Sequence, residues 1–238
     1  MICFLTSRTD DPVTGELNPA NRFIDELRTC FPDPCRALAV CSDPDSWDIT
    51  DYYTSLTRKA FEDAGFTFEQ FSILDSRNET GAAELVRGSN LLIFSGGHVP
   101  TQNRFFHRIG LRGLLEGYGG IVIGISAGSM NSAEEVYAQP EEEGEATDPA
   151  YQRFLPGLGL TKTNLLPHYQ ENRDDILDGM RIYQDIACPD SMGRTFYAIP
   201  DGTYLLIDSG REELCGEAYM VKDGTMSQIS SPDEVLFV

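Results

Sequence analysis

Gly124-Ile125-Ser126-Ala127-Gly128 fits the pattern G-x-S-x-G, in which a serine hydroxyl is presented on a sharp turn between a strand and a helix. Ile121 to Ile123 form an unbroken apolar run before it, read as a strand buried on both faces, and small residues open a helix after it. Glycine two residues to either side of the serine lets neighbouring backbone pass without a Cβ clash. Ser126 Oγ is then exposed above the sheet edge, and the Ala127 N–H, in the first helical turn, points at the same space and can stabilise a developing oxyanion. This is the chemistry of acyl transfer. It needs a base beside the serine and a group to orient that base. The chain has three histidines. His107 falls within an expected helix and reads as structural, and His98 follows Gly96-Gly97 and can line the site. His168 stands just beyond a strand end, with Pro167 restricting its approach, and is assigned as the base. Asp201, in Ile199-Pro200-Asp201-Gly202, repeats the order apolar strand, proline, functional group, and is assigned as the orienter. Gly96 and Gly97 close another apolar strand, so either can bring a second backbone donor to the oxyanion.

The elements that must position these groups read as an α/β fold, a mostly parallel sheet flanked by helices on both faces and finished by an antiparallel meander. Strands are expected at Ile2 to Thr6, Arg36 to Cys41, Phe66 to Leu74, Asn90 to Phe94 and Ile121 to Ile123. Helices are expected at Pro19 to Phe31, Asp48 to Ala64, Thr80 to Arg87 and Pro100 to Glu116. Gln139 to Pro149 is acidic, with Ala146 its only apolar residue, and reads as a loop: a solvated face, or a lid whose carboxylates meet a substrate cation. Leu158 to Leu166 reads as a strand and Arg173 to Ala187 as a helix. Five short alternating runs between Thr195 and Ile229, split by turn signals such as Asp223-Gly224, make the meander. No linker separates a second domain, so residues 1–238 are taken as one.

The order Ser126, His168, Asp201 differs from the Ser, Asp, His order of the α/β-hydrolases. Four short motifs in register, Gly96-Gly97-His98, Gly124 to Gly128, Asn164 to His168 and Pro200 to Gly202, resemble the peptidase E family. This is serine peptidase family S51, which includes aspartyl dipeptidases and cyanophycinases and is similar in fold to class I glutamine amidotransferases. The resemblance implies Ser126 as nucleophile, His168 as its histidine, and the amides of Gly97 and Ala127 as oxyanion donors. Its third member is typically a glutamate where this chain has Asp201, and relatives often have asparagine where this chain has His98. An acidic residue about fifteen after the serine would fall near Glu141. The implied activity is hydrolysis of short peptides, in the best-known members dipeptides with N-terminal aspartate, without a metal or other cofactor. Arg104, Arg108, Lys162, Arg173 and Arg194 are the basic residues that could receive an acidic substrate.

Two other readings stand beside a dipeptidase: an amidase like the glutamine amidotransferases, against which a serine at the elbow argues, and a catalytically silent protein that binds a peptide or partner. A net charge of -20 excludes nucleic acid and anionic membrane as partners, since both demand a basic surface, and leaves a small peptide as substrate for a monomer or homodimer. No apolar run reaches the ~18 residues that span a bilayer, and Met1 to Ser7 lacks the basic start of a signal peptide, so a cytoplasmic location is expected. Six cysteines without a CxxC pair read as buried thiols.

Overall fold

Side chains of a strand alternate between two faces, so a strand apolar at every position must be covered on both. Strand β1 (Ile2–Thr6) does this in a computed structural model that describes residues 1–238: Cys3 and Leu5 enter one apolar cluster and Phe4 the other. Parallel to it run β2 (Arg36–Val40), β3 (Gln70–Leu74), β4 (Leu91–Phe94) and β5 (Ile121–Ile125), in the spatial order β1-β5-β4-β2-β3. On the other side of β1 the sheet continues antiparallel through Tyr204–Asp208, Arg211–Cys215 and Val235–Phe237. Thus β1 is paired along both edges.

Helices α1 (Phe23–Cys30) and α2 (Trp47–Asp63) press Phe23, Leu27, Ala60 and Phe61 onto the face that carries Phe4, Ala37 and Ile123. On the opposite face α3 (Ala82–Gly88), α4 (Val99–Arg108) and α5 (Leu111–Leu114) bring Val86, Phe105, Phe106 and Leu111 against Leu5, Val40, Phe94 and Val122. Each fully buried side chain of this size stabilises the fold by about 1.5–3 kcal/mol relative to exposure. Five cysteines are buried and Cys30 is half-buried; all six are free, and burial pushes the thiols of Cys3, Cys35 and Cys41 up to about 12. No helix is long and apolar enough to cross a membrane.

Four expectations are corrected. The helix over Pro100 to Glu116 is two helices, because Gly110 adopts a left-handed φ of 65° between α4 and α5. Of the strand over Leu158 to Leu166 only Asn164–Leu166 pairs in a ladder; Leu158 and Leu160 instead donate to the carbonyls of Asn131 and Ser132. The helix over Arg173 to Ala187 is absent from its first half. Asp178 and Gly179, with φ of 53° and 80°, form a tight turn that folds Ile176–Leu177 back onto Met180–Arg181, and only Ile182–Ala187 is helical, as a wide π-type turn. The C-terminal strands pair antiparallel with one another but belong to two sheets. Thr195–Ala198, Ala218–Lys222 and Thr225–Ser230 join Asn164–Leu166 in a four-stranded sheet of their own, packed on Ala127, Met130 and Tyr137.

Candidate active site

The carboxyl ends of β1, β4 and β5 open onto one edge of the large sheet, where ligands of open α/β sheets bind. Ser126 ends β5 and caps α6 (Ala127–Met130) with φ 49° and ψ −110°, a region that costs a non-glycine residue on the order of 1–3 kcal/mol. Its N–H is shared between the carbonyls of Thr6 and Ser7, each at 3.1 Å, and its own carbonyl accepts from Ser129 and Met130. The flanking glycines are steric necessities. A Cβ on Gly124 would lie 2.9 Å from Ser129 Cα, and one on Gly128 would lie 2.6 Å from Phe94 Cβ. The turn is thereby wedged between β4 and its own helix, and it leaves Ser126 half-buried.

His168 follows Asn164–Leu166 and Pro167 in a left-handed conformation, φ 59° and ψ 30°. Its Nε2 lies 2.9 Å from Ser126 Oγ, and its Nδ1 lies 2.8 Å from Asp201 Oδ1. A carboxylate only accepts, so Nδ1 donates to Asp201, and Nε2 is left to accept the serine proton. Asp201 comes from the turn after Thr195–Ala198, the strand parallel to the one that delivers His168. Burial, the largest single influence on its carboxyl, pushes the pKa up. Hydrogen bonds from His168 and Ser7 and the charges of His168 and Arg8 together outweigh that and hold it below the ordinary value.

Two residues that the sequence reading passed over complete the neighbourhood. Ser7, fully buried at the end of β1, donates from Oγ to Asp201 Oδ1 at 2.6 Å and accepts the His168 backbone N–H at 2.8 Å. Arg8 Nε stands 3.6 Å from Asp201 Oδ2, and its guanidinium reaches Glu171 at 3.5 Å. Each is an ordinary polar residue just after a strand, and no local signal set either apart.

Gly97 has φ 150°, and a Cβ there would meet Ser42 Cβ at 2.6 Å; a Cβ on Gly96 would sit 3.4 Å from that of Ser126. The amides of Gly97 and Ala127 find no acceptor within the protein. His98 is the N-cap residue of α4 and makes no hydrogen bond to the serine: its Nε2 donates to Glu145 Oε1 at 2.8 Å and its Nδ1 accepts from Thr101 Oγ1 at 2.8 Å. The acidic segment is closed on itself. Glu145 Oε2 accepts the amides of Glu141 and Glu142, and Asp178 accepts those of Gly144 and Ala146. Glu141 therefore contributes its backbone to the loop, and its side chain makes no hydrogen bond to Ser126, His168 or Asp201. The residue keeps an exposed face while its carboxyl is crowded by the loop; that desolvation first, and the charges of Glu145 and Glu142 next, push the carboxyl upward.

Of the five basic residues singled out from sequence, Arg108 pairs with Glu79, Arg173 with Asp174 and Arg194 with Glu135, while Lys162 lines a cavity on the far side of Asn164–Leu166, beside Glu212. Arg104 donates to Thr101, beside His98. His107 donates to the carbonyl of Pro156, the structural role read for it. His98, Glu142 and Glu145 have donor atoms within 4.8 Å of one another and could offer an imidazole and two carboxylates to a cation. A similar grouping of His168, Glu171 and Asp201 has its imidazole already committed to Ser126 and Asp201.

The sequence profile of peptidase family S51 matches residues 44–215, a span that holds Ser126, His168 and Asp201. The chain belongs to peptidase family S51. Its fold is that of a peptidase from an acI-B1 Actinobacterium, 18% identical, with a TM-score of 0.67 over 100% of this chain and 96% of that one. A putative peptidase E protein from Listeria monocytogenes EGD-e is 16% identical, with a TM-score of 0.59 over 96% of this S51 chain and 98% of that one. No curated protein matches the sequence.

Proposed function

We propose that this S51 peptidase hydrolyses short peptides by a serine mechanism, with Ser126 as nucleophile, His168 as general base and acid, and Asp201 as the group that orients the imidazole. The observation that carries the reading is the unbroken line Ser126 Oγ, His168, Asp201, at 2.9 and 2.8 Å. Ser126 Oγ attacks the scissile carbonyl while its proton passes to His168 Nε2, and the imidazolium is stabilised through Nδ1–H by Asp201. The oxyanion is received by the free amides of Gly97 and Ala127, a contribution worth roughly 10²–10³ in rate per donor. As the C–N bond breaks, Nε2–H protonates the leaving amine. Water then attacks the ester carbonyl, gives its proton to Nε2, and Ser126 leaves with that proton restored.

The substrate we propose is a dipeptide, with N-terminal aspartate as the first side chain to try, on the strength of the family resemblance. Arg8, 3.6 Å from Asp201 and shared with Glu171, and Arg104, on the helix that follows Gly97-His98, are the guanidiniums we put forward to meet an acidic side chain. The test is hydrolysis of Asp-X, Glu-X, Met-X, Leu-X and N-blocked Asp-X by wild type beside Ser126→Ala. Cleavage lost in the variant supports the serine mechanism, and the member cleaved identifies the specificity. Cleavage that survives in Ser126→Ala overturns the assignment of the nucleophile. A protein that cleaves none of them and resists a fluorophosphonate at Ser126 is the silent, peptide-binding member of the fold.

A further inference from the structure

We propose that Ser7 is the positioning residue of this site, the one group that fixes His168 and Asp201 relative to Ser126; the proposal rests on the reading of those three as the catalytic line. Ser7 touches all three through two oxygens. Its carbonyl accepts the Ser126 N–H at 3.1 Å, and its hydroxyl accepts the His168 N–H at 2.8 Å and donates to Asp201 Oδ1 at 2.6 Å. The donor roles have no second solution. A carboxylate can only accept, so the single hydroxyl proton goes to Asp201, and the lone pairs face the histidine amide.

The Asp201 backbone N–H is held by Gln170 Oε1 at 2.9 Å, but its side chain has little else to hold it. Its Oδ2 is buried without a hydrogen bond, Arg8 being 3.6 Å away, so the carboxylate is aimed through Oδ1 alone, by His168 and Ser7. An orienter held only by the ring it must orient fixes nothing. Ser7 supplies the outside reference, because it ends a strand paired along both edges and is itself fully buried. It also secures the other end of the contact: His168 occupies a left-handed conformation that a non-glycine residue leaves readily unless its amide is tied, and Ser7 Oγ ties it. The residue lies outside the span 44–215 that the family profile matches, so membership of S51 does not assign it.

A buried hydroxyl that merely satisfies its neighbours would make the same contacts, so the experiment reads reactivity instead of stability alone. The probe is a small alkyl fluorophosphonate, and the quantity is its second-order rate with Ser126 across roughly pH 5 to 9, which needs no knowledge of the substrate. Ser7→Ala is expected to slow labelling about 10- to 100-fold, on the order of a misplaced catalytic group. It is also expected to move the acid limb to higher pH. Removing the competing donor leaves more of the Asp201 charge for the imidazolium, with Arg8 and Glu171, the other charged groups here, unchanged. Asp201→Asn with Ser7→Ala should label more slowly than Asp201→Asn alone by less than the Ser7→Ala factor, since Ser7 acts partly through Asp201 and partly through the His168 amide. Ser132→Ala is the matched control: that hydroxyl is equally buried, bonds only the Gly128 carbonyl at 2.8 Å, and should cost stability while leaving rate and limb as in wild type. If Ser7→Ala does not fold, the near-isosteric Ser7→Cys, a weak donor, carries the same expectations. Labelling at the wild-type rate, an unmoved limb, or a double variant slower by the product of the two single effects would overturn the proposal. Should His168→Ala and Asp201→Asn both label like wild type, the catalytic line itself has failed, a result distinct from failure of Ser7 alone.

Discussion

Lengthening Asp201 to glutamate should damage this enzyme even though glutamate is the residue the peptidase E resemblance leads one to expect there. The carboxylate already meets Ser7 Oγ at 2.6 Å and His168 Nδ1 at 2.8 Å, so neither bond has slack for another methylene. One more carbon advances the carboxylate by ~1.5 Å, about one C–C bond. The extra length must push the imidazole off Ser126 or fold the side chain into a poor rotamer, at about 0.5–1.5 kcal/mol, with overpacking adding about 1–3 kcal/mol in a site where Asp201 is nearly buried. A catalytic group displaced by ~1 Å loses about 10²-fold in rate. The Asp201→Glu variant is therefore expected to show kcat/KM down by about two orders of magnitude, some 2.7 kcal/mol of transition-state stabilisation. Its melting temperature should fall by roughly 2–12 °C, the shift that ~1–3 kcal/mol produces in a domain of this size. The assay is the dipeptide panel, or fluorophosphonate labelling, beside a circular-dichroism melt. A glutamate variant as fast as wild type would refute the claim that Ser7 and His168 fix the length of this side chain.

Other outcomes follow from the same geometry. The Asp201 carboxyl is held below its ordinary 3.8, so the stability it contributes is complete above that value and is lost as pH falls through the folded one. The gap in urea midpoint between wild type and Asp201→Asn should therefore close as pH falls below about pH 4. Gly128→Ala should destabilise by about 1–3 kcal/mol or more, since the new methyl would lie 2.6 Å from Phe94 Cβ and 2.8 Å from its carbonyl carbon; chemical denaturation reads this directly. Glu145→Ala removes the acceptor that gathers His98 and the amides of Glu141 and Glu142, and glutamyl endopeptidase should then cut within residues 140–149 faster than in wild type. An unchanged cleavage rate would mean that Asp178 alone holds the loop.

The strands of the parallel half were legible because a strand covered on both faces must be apolar throughout, as Arg36 to Val40 and Leu91 to Phe94 nearly are. The turn at Ser126 was legible for a steric reason: only glycine fits at 124 and 128. His168 and Asp201 share a local signature, apolar strand then proline, and the structure lays their two strands side by side. What escaped depends on packing between distant segments. Nothing local to Ser7 distinguishes it from any polar residue after a strand; its partners lie 161 and 194 residues away. The helix expected over Arg173 to Ala187 overlooked Asp178-Gly179, a turn signal of the kind that was read correctly at Asp223-Gly224. Alternation identified the C-terminal strands but could not apportion them, because a strand with one apolar face fits either of two sheets.

The pairing of β1 with Tyr204–Asp208 has a consequence for the order in which the protein can come into being. Ser7 leaves the ribosome before Gly97, Ser126 and His168, and Asp201 leaves it after them. A nascent chain that has not yet released Asp201 can have formed the parallel strands and the strained turn at Ser126, yet His168 still has no carboxylate and one edge of β1 is still open. Contacts of such long range are slow to close and come late. The line from Ser126 through His168 to Asp201 is thus completed only when the C-terminal strands dock.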